Sequence, residues 1–151
     1  MTINKSYIPK PIRKLRQSMK NNLLELPFIS YIRLTRDFYD DPLIICTSSN
    51  KLTSMSVNMN INHVEFATIT VEKKDRKKGC ATQMILAICN AIKSSEFKNI
   101  SVYLSDPYNV KFWEKMKKKF PDINWKFDLK ISCSNHLKTK NILMQTLNII
   151  K

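Results

Sequence analysis

Glycine is almost absent from this chain, since Gly79 is the only one among 151 residues. Long apolar runs are missing too, and none approaches the roughly 20 residues that a membrane-spanning helix needs. The basic start of the chain lacks the apolar stretch and the small-residue cleavage site of a secretory signal. From these absences we expect a cytoplasmic protein with no membrane segment.

Cysteine and histidine are few and scattered. The four cysteines form no C-x-x-C pair, and none has a histidine at zinc-ligand spacing; they are Cys46, Cys80, Cys89 and Cys133. The sequence patterns of a zinc knuckle and of a disulfide framework are therefore both missing. We expect no metal and reduced thiols in a reducing compartment.

Carboxylates are outnumbered by basic side chains. The 26 lysines and arginines stand against 12 aspartates and glutamates, which gives a formal net charge of +14. A field of this sign attracts polyanions, and it fits a nucleic-acid surface or a pocket for a phosphorylated cofactor. A solvated, lysine-rich surface is the third account, and only the placement of the charges separates the three.

The length and the apolar spacing predict a single domain over residues 1–151, large enough to bury a hydrophobic core. Apolar residues at spacings of three or four predict an amphipathic helix from Pro11 to about Pro27. A shorter helical segment is expected from Ser30 to about Tyr39, where the sequence DDP follows and ends it.

The remainder of the chain mixes strands and helices. β-branched residues and apolar–polar alternation predict three successive strands, and KNISVYLS predicts a further strand. Two more strands are expected in the tail, at NWKFDLKIS and NILMQTLNII. The pattern of the second tail segment also fits a helix. The three successive strands lie near 43–47, 51–60 and 63–71, and further helices are expected at 80–93 and 107–119, the latter with Asp106 as its N-cap. The fold class is α/β (α+β), a mixed central sheet flanked by helices.

The single glycine lies where strand 63–71 passes through a basic turn into helix 80–93. Such a turn aims unpaired backbone N–H groups and the positive end of the helix dipole at an anion. A residue without a Cβ lets a pyrophosphate come close to those amides, and it tolerates positive φ. A plain surface turn is the alternative. Cationic side chains surround the glycine: Lys73, Lys74, Arg76, Lys77 and Lys78.

The spacing of the turn is neither the Walker pattern nor the dinucleotide fingerprint. Arg76-Lys77-Lys78-Gly79-Cys80-Ala81 resembles the R/Q-x-x-G-x-G/A signature of the GNAT superfamily of N-acetyltransferases. Val71 stands at the family's apolar position five residues before the arginine, and Phe112-Trp113-Glu114-Lys115-Met116 resembles the family's FYEKL. The resemblance covers about residues 63–120. It implies a GNAT-like domain that transfers an acetyl group from acetyl-CoA to a primary amine of a protein or a small molecule.

The resemblance also implies cofactor contacts. The backbone of Ile69, Thr70 and Val71 would pair with the pantetheine arm, and Asn109 would reach the cofactor from the following helix, unless it is simply solvated there. The pyrophosphate would lie on the turn formed by Arg76, Lys77, Lys78, Gly79, Cys80, Ala81 and Thr82.

For catalysis, Glu65 lies 11 residues before Arg76 and resembles the glutamate base of the histone-acetyltransferase branch; a solvent-facing carboxylate is the alternative. Strand alternation predicts that residues 63, 65, 67, 69 and 71 share one face, with Glu65 toward the acyl end. Trp113 stands where the family often has the tyrosine that protonates the thiolate, and an indole N–H supplies no proton at a useful pKa. Tyr108 or Tyr103 could substitute, although packing is the simpler role for either.

The sequence departs from the family pattern at two further places: Lys73 replaces a frequent proline, and MKKKFP lacks the usual glycine. The net charge of +14 and the lysines of helix 107–119 motivate a second hypothesis, a basic module of GNAT-type or unrelated fold that binds nucleic acid without catalysis. Against it, the stacking aromatics of a single-strand binder are missing, and we expect the lysines of helix 107–119 to spread around its circumference. The charge favours an acidic or nucleic-acid-associated protein as the amine acceptor. Those lysines are Lys111, Lys115, Lys117, Lys118 and Lys119.

Overall fold

The computed structural model describes residues 7–60, 63–97, 101–104 and 110–127. Within these ranges the chain forms three α-helices: α1 at Lys10–Leu24, α2 at Cys80–Lys93 and α3 at Val110–Lys119. The same ranges contain six strands: β1 at Tyr31–Arg36, β2 at Pro42–Thr47, β3 at Ser54–Met59, β4 at His63–Thr70, β5 at Ser101–Leu104 and β6 at Asn124–Phe127.

The strands form one mixed sheet in the order β1-β2-β3-β4-β5-β6. The first four strands are antiparallel neighbours, whereas β5 is parallel to β4 and β6 is parallel to β5. Parallel neighbours need a crossover, and α2 and α3 supply the two crossovers. The architecture is mixed α+β, with helices flanking a central sheet as the sequence predicts.

One face of the sheet carries the hydrophobic core. Alternate residues of β2 and β3 are buried on that face, including Ile44, Cys46, Met55 and Val57. The predicted apolar stripe of α1 is also buried: Ile12, Leu15, Met19 and Leu23. The helix predicted over 80–93 is observed at the same residues, and it buries Met84, Ile85, Ile88 and Cys89.

Two thiols belong to this core. The Sγ of Cys46 donates a hydrogen bond to the Sδ of Met84 over 3.8 Å, which joins β2 to α2. Burial raises the pKa of the Cys46 thiol to about 11 and that of Cys89 to about 12, so both stay protonated at neutral pH. Both are free cysteines, as is the half-buried Cys80, while Cys133 lies outside the described residues.

The helix expected from Ser30 to Tyr39 is wrong, because this segment contains strand β1. Ile32 and Leu34 alternate with the more exposed Tyr31 and Arg33, and β1 pairs along its length with β2. Asp37 then closes the turn, since its Oδ1 accepts hydrogen bonds from the backbone N–H of Tyr39 and Asp41, both over 2.9 Å. Pairing with β2 therefore decides the conformation of a segment whose local pattern is ambiguous.

The other elements follow the prediction with shifted ends. β2, β3 and β4 lie within two or three residues of the expected bounds, and the first tail strand is observed as β6. The expected helix start, with Asp106 and Pro107, lies outside the described residues, as does the second tail segment. Among the helices described, none has the length and apolar content required to cross a membrane.

Candidate functional site

Gly79 is the N-cap of α2 and has a left-handed backbone, with φ at 79° and ψ at 12°. Among the described residues, a Cβ built on it would meet only Nε2 of Gln83, at 4.0 Å. Crowding by these residues therefore does not require a glycine here. The positive φ favours one, and the space in front of the helix end stays open.

The start of α2 leaves backbone N–H groups unpaired in the described part of the chain. The first bond of the helix runs from the N–H of Gln83 to the carbonyl of Gly79 over 2.9 Å, and no described side chain caps the helix. Within the described ranges, the N–H groups of Cys80, Ala81 and Thr82 have no acceptor. The first turn also contains no acidic residue, so the positive end of the dipole is not neutralised from within the helix.

The turn before α2 is cationic and anchored to the sheet. The backbone N–H of Glu72 donates to Oγ1 of Thr53 over 3.1 Å, and the Glu72 carboxylate accepts from Nδ2 of Asn50 over 2.7 Å. Nε of Arg76 donates to the carbonyl of Val71 over 3.2 Å. These bonds hold the turn against β4 and the loop between β2 and β3.

Two of the five cations are partly compensated. The Nζ of Lys74 lies 3.5 Å from Glu72, and the Nζ of Lys78 lies 3.5 Å from Asp75. Lys73 and Lys77 are exposed, and neither has a carboxylate within ion-pair distance in the described part of the chain. The turn therefore keeps an excess of positive charge beside the free amides.

A β-bulge in β4 changes which residues share a face. Ser56 pairs with Thr68 and the next residue, Val57, pairs with Phe66, so Ala67 is one extra residue in β4. Ile69 consequently lies on the same face as Phe66, the core face, while Glu65 lies on the opposite one. The expectation that residues 63, 65, 67, 69 and 71 share a face is wrong, because a bulge reverses the alternation.

An open cavity of about 390 Å³ adjoins the core face of β4 after the bulge. In the described residues the β4–β5 register contains four pairs and ends with Phe66 and Leu104, so Thr68–Thr70 pair only with β3. The cavity opens where β4 runs on past that register. It is lined by Ile69, Thr70, Val71, Arg76, Ala81, Ile85, Phe112 and Trp113.

Five of the predicted cofactor residues line this cavity: Ile69, Thr70, Val71, Arg76 and Ala81. The other predicted turn residues lie beside it on the turn and the first turn of α2: Lys77, Lys78, Gly79, Cys80 and Thr82. Sequence reasoning missed Ile85 and Phe112 as cavity residues. Helical spacing was the available signal, since Ile85 lies one turn after Ala81 and Phe112 precedes Trp113.

Trp113 is only 3% exposed and lies among other aromatic rings. Its ring centroid is 5.0 Å from that of Phe112, 5.8 Å from Phe66 and 6.3 Å from Trp125. No acceptor in the described ranges takes its indole Nε1, although this atom is buried. By contrast, Nε1 of Trp125 donates to the carbonyl of Phe120 over 3.1 Å.

The predicted base lies apart from the cavity lining. Glu65 is half-buried in β4, and its register partners are Asn58 on β3 and Tyr103 on β5. Nδ2 of Asn58 donates to Oδ2 of Asp37 over 2.8 Å, so this face of the sheet is polar around Glu65. Tyr108 and Asn109 lie outside the described residues.

The lysines of α3 cluster on one side, contrary to the expectation that they spread around the helix. At about 100° per residue, the four exposed lysines fall within an arc of about 100°. The half-buried Lys117 lies outside this arc. The exposed set is Lys111, Lys115, Lys118 and Lys119, called the α3 lysine stripe below.

Within the described ranges, no three or more His, Cys, Asp or Glu side chains are grouped so that they could hold a metal ion. Comparison with models of known protein families, with curated proteins and with solved structures returns no match.

Proposed function

We propose that this protein is an N-acetyltransferase with a GNAT-type fold, which transfers an acetyl group from acetyl-CoA to a primary amine. The observation that carries the proposal is the junction of two unlike surfaces at one place. A cavity whose lining side chains are mostly apolar, with Arg76 and Ala81 among its lining residues, adjoins a cationic turn whose backbone amides have no acceptor in the described part of the chain. Acetyl-CoA joins the same two chemistries, because an acyl-pantetheine arm is linked to a pyrophosphate.

The residues fit the cofactor in two parts. The cavity volume of about 390 Å³ is that of a small-ligand pocket, which suits the acyl and pantetheine groups but not the whole cofactor. The pyrophosphate would lie outside the cavity on the amides of Cys80, Ala81 and Thr82, with the side chains of the turn around it. The backbone of Ile69 and Thr70 would face the pantetheine amides beyond the β4–β5 register.

The amine acceptor would approach from the other face of the sheet. Glu65 lies one residue before the last described β4–β5 pair and faces away from the core. In the proposed reaction Glu65 accepts one proton from the ammonium and the amine nitrogen bonds to the thioester carbonyl carbon. The C–S bond then breaks, and the nitrogen releases its second proton to water. The CoA thiolate then takes a proton from water, since the indole of Trp113 is not an acid.

Binding is tested first, by calorimetry of the purified chain with acetyl-CoA and CoA. Transfer is then measured with a panel of lysine peptides, acidic proteins and small amines, by detecting the free CoA thiol. Saturable binding together with transfer to at least one amine supports the proposal. A protein that binds neither acetyl-CoA nor CoA would contradict it, whatever its other properties.

The double change Arg76→Ala/Lys78→Ala should weaken acetyl-CoA binding more at low salt than at high salt. Exposed side-chain charges are screened by ions over a Debye length of about 10 Å at 0.1 M, whereas backbone amides in close contact are screened much less. The measurement is the dissociation constant at several salt concentrations. The control Arg13→Ala/Lys93→Ala removes the same charge far from the turn and should have little effect on the dissociation constant. If the turn variant loses the same affinity at all salt concentrations, the loss indicates misfolding and not the removal of screened charges.

The α3 lysine stripe favours a second candidate function, binding of nucleic acid. Four exposed lysines on one side of a helix can contact successive phosphates, and each neutralised phosphate adds to the salt dependence of binding. This candidate is independent of the cavity and does not require acetyl transfer.

The change Lys111→Gln/Lys115→Gln/Lys118→Gln is expected to lower the slope of log affinity against log salt by about 2 to 3 for a duplex DNA or RNA probe. The matched control is Lys10→Gln/Arg13→Gln/Lys14→Gln on α1, which removes the same charge elsewhere. Fluorescence anisotropy of a labelled probe gives both slopes. Identical slopes for the two variants would remove the stripe as a nucleic-acid surface.

A further inference from the structure

We infer that the turn between β1 and β2 binds a cationic side chain close to the acceptor lysine, so that the preferred acceptor is a lysine within a basic peptide. The inference rests on the proposed function and names the class of its acceptor. It starts from two adjacent rings, Phe38 and Tyr39, called the aromatic tip below. They are 96% and 81% exposed, the two highest values among the large hydrophobic side chains in the described part of the chain.

The aromatic tip is held on an ordered turn. The two ring centroids lie 5.5 Å apart, with the ring planes at 90°. The carboxylate of Asp37 accepts hydrogen bonds from the backbone N–H of Tyr39 and of Asp41, and the backbone N–H of Asp37 donates to the carbonyl of Asp41 over 2.9 Å. Rings that are already ordered lose little conformational entropy when a partner binds them.

The charge around the aromatic tip is negative, although the chain as a whole carries +14. Residues 36–41 contain one arginine and three aspartates, a local formal charge of −2. The arginine is bound within the turn, since Nη1 of Arg36 donates to the carbonyl of Asp40 over 2.8 Å and lies 3.6 Å from its Oδ2. Aromatic faces and carboxylates both attract cations, so this surface fits a guanidinium or an ammonium group.

The turn is continuous with the polar face on which Glu65 lies. Oδ2 of Asp37 accepts a hydrogen bond from Nδ2 of Asn58 over 2.8 Å, and Asn58 is the β3 register partner of Glu65. The turn joins β1 to β2, so it lies two to three strand spacings, roughly 10–14 Å, from Glu65. An extended peptide covers this distance in about three or four residues. The bound cation would therefore stand three or four positions from the acceptor lysine.

The test compares three labelled peptides that differ only at the positions three residues before and after a central lysine. These positions carry arginine, glutamine or glutamate. Fluorescence anisotropy gives the dissociation constants at 0.15 M salt, where a Debye length of about 8 Å screens the distant charges of the protein. The arginine peptide should bind about 3- to 10-fold more tightly than the glutamine peptide, the effect of an exposed cation–π contact together with a surface ion pair.

Phe38→Ser/Tyr39→Ser should remove the preference for the arginine peptide. Its affinity for acetyl-CoA, measured by calorimetry, should stay unchanged and shows that the variant is folded, because the aromatic tip is not part of the cavity lining. In the transfer assay the variant should raise KM for the arginine peptide by about 3- to 10-fold and keep kcat. Tyr31→Ser is the matched control, since Tyr31 is an exposed aromatic residue at the other end of β1.

The outcomes separate this inference from the proposed function. An unmodified protein without a preference for the arginine peptide, or a tip variant that keeps the preference, overturns the inference alone. If acetyl-CoA does not bind, the proposed function is overturned, and the peptide loses its role as acceptor with it.

Discussion

Replacing Gly79 by valine is expected to weaken acetyl-CoA binding by about 100-fold or more. The new Cβ and its methyl groups would stand in the open space before α2, where the proposed pyrophosphate meets the amides of Cys80 and Ala81. Charge-assisted hydrogen bonds are worth roughly 1.5–3 kcal/mol each, so the loss of two accounts for an effect of this size. Calorimetry measures the change in the dissociation constant.

The same substitution also strains the backbone. At φ of 79° a residue with a Cβ costs roughly 1–2 kcal/mol, and a β-branched residue is worse placed than most. We expect the melting temperature of the free protein to fall by a few degrees while the core remains intact, because Gln83 is the only residue in the described part of the chain within 4.0 Å of the added atom.

Gly79→Asn separates strain from obstruction. Asparagine tolerates the left-handed region better than valine, so the loss of stability should be smaller, while the added side chain still stands before the amides. Both variants should lose affinity, and only valine should lose much stability. If Gly79→Val keeps the affinity of the unmodified protein, the amides of this turn do not hold the pyrophosphate.

Glu65→Gln is expected to lower the rate of acetyl transfer by roughly 10²–10⁴-fold while acetyl-CoA still binds. The amide keeps the shape of the side chain but removes the oxygen that would accept the proton of the amine. Cofactor affinity should be nearly unchanged, because Glu65 lies on the opposite face of β4 from Ile69. The measurements are transfer rate at saturating acetyl-CoA and calorimetric affinity.

Glu96→Gln is the matched control. Glu96 is an exposed carboxylate whose only described ion-pair partner is Lys14, at 3.6 Å, and it lies after the C-terminal end of α2. Its loss should leave the transfer rate unaltered. Full turnover in Glu65→Gln would remove Glu65 as the base and direct attention to other groups on the polar face.

The sequence pattern predicted the elements in which buried residues recur at a regular spacing. The stripe of α1 and the whole of α2 follow from apolar spacing alone, since each helix buries one regular face. β1 could not be predicted in the same way. Its six residues fit either period, and only pairing with β2 selects the strand.

The candidate site was predictable where it is continuous in sequence. The turn, the glycine and the start of α2 lie within one short segment, and positive φ at Gly79 follows the expectation from its type and place. The cavity was not predictable in full, because Ile85 and Phe112 meet β4 only through the packing of two helices. The prediction that Glu65 shares a face of β4 with Ile69 was also wrong, because no local signal in the sequence indicates the extra residue at Ala67.

The bulge lets β4 hold one residue more than its pairing with β3 requires. Removing Ala67 would close the ladder into a regular one, in which Thr68 still lies opposite Ser56 and Ile69 still lies opposite Met55. The faces of the strand would therefore be kept, and only the local bend at the bulge would be lost. Related chains should therefore be able to differ by the presence or absence of this one residue without exchanging the two faces of the strand.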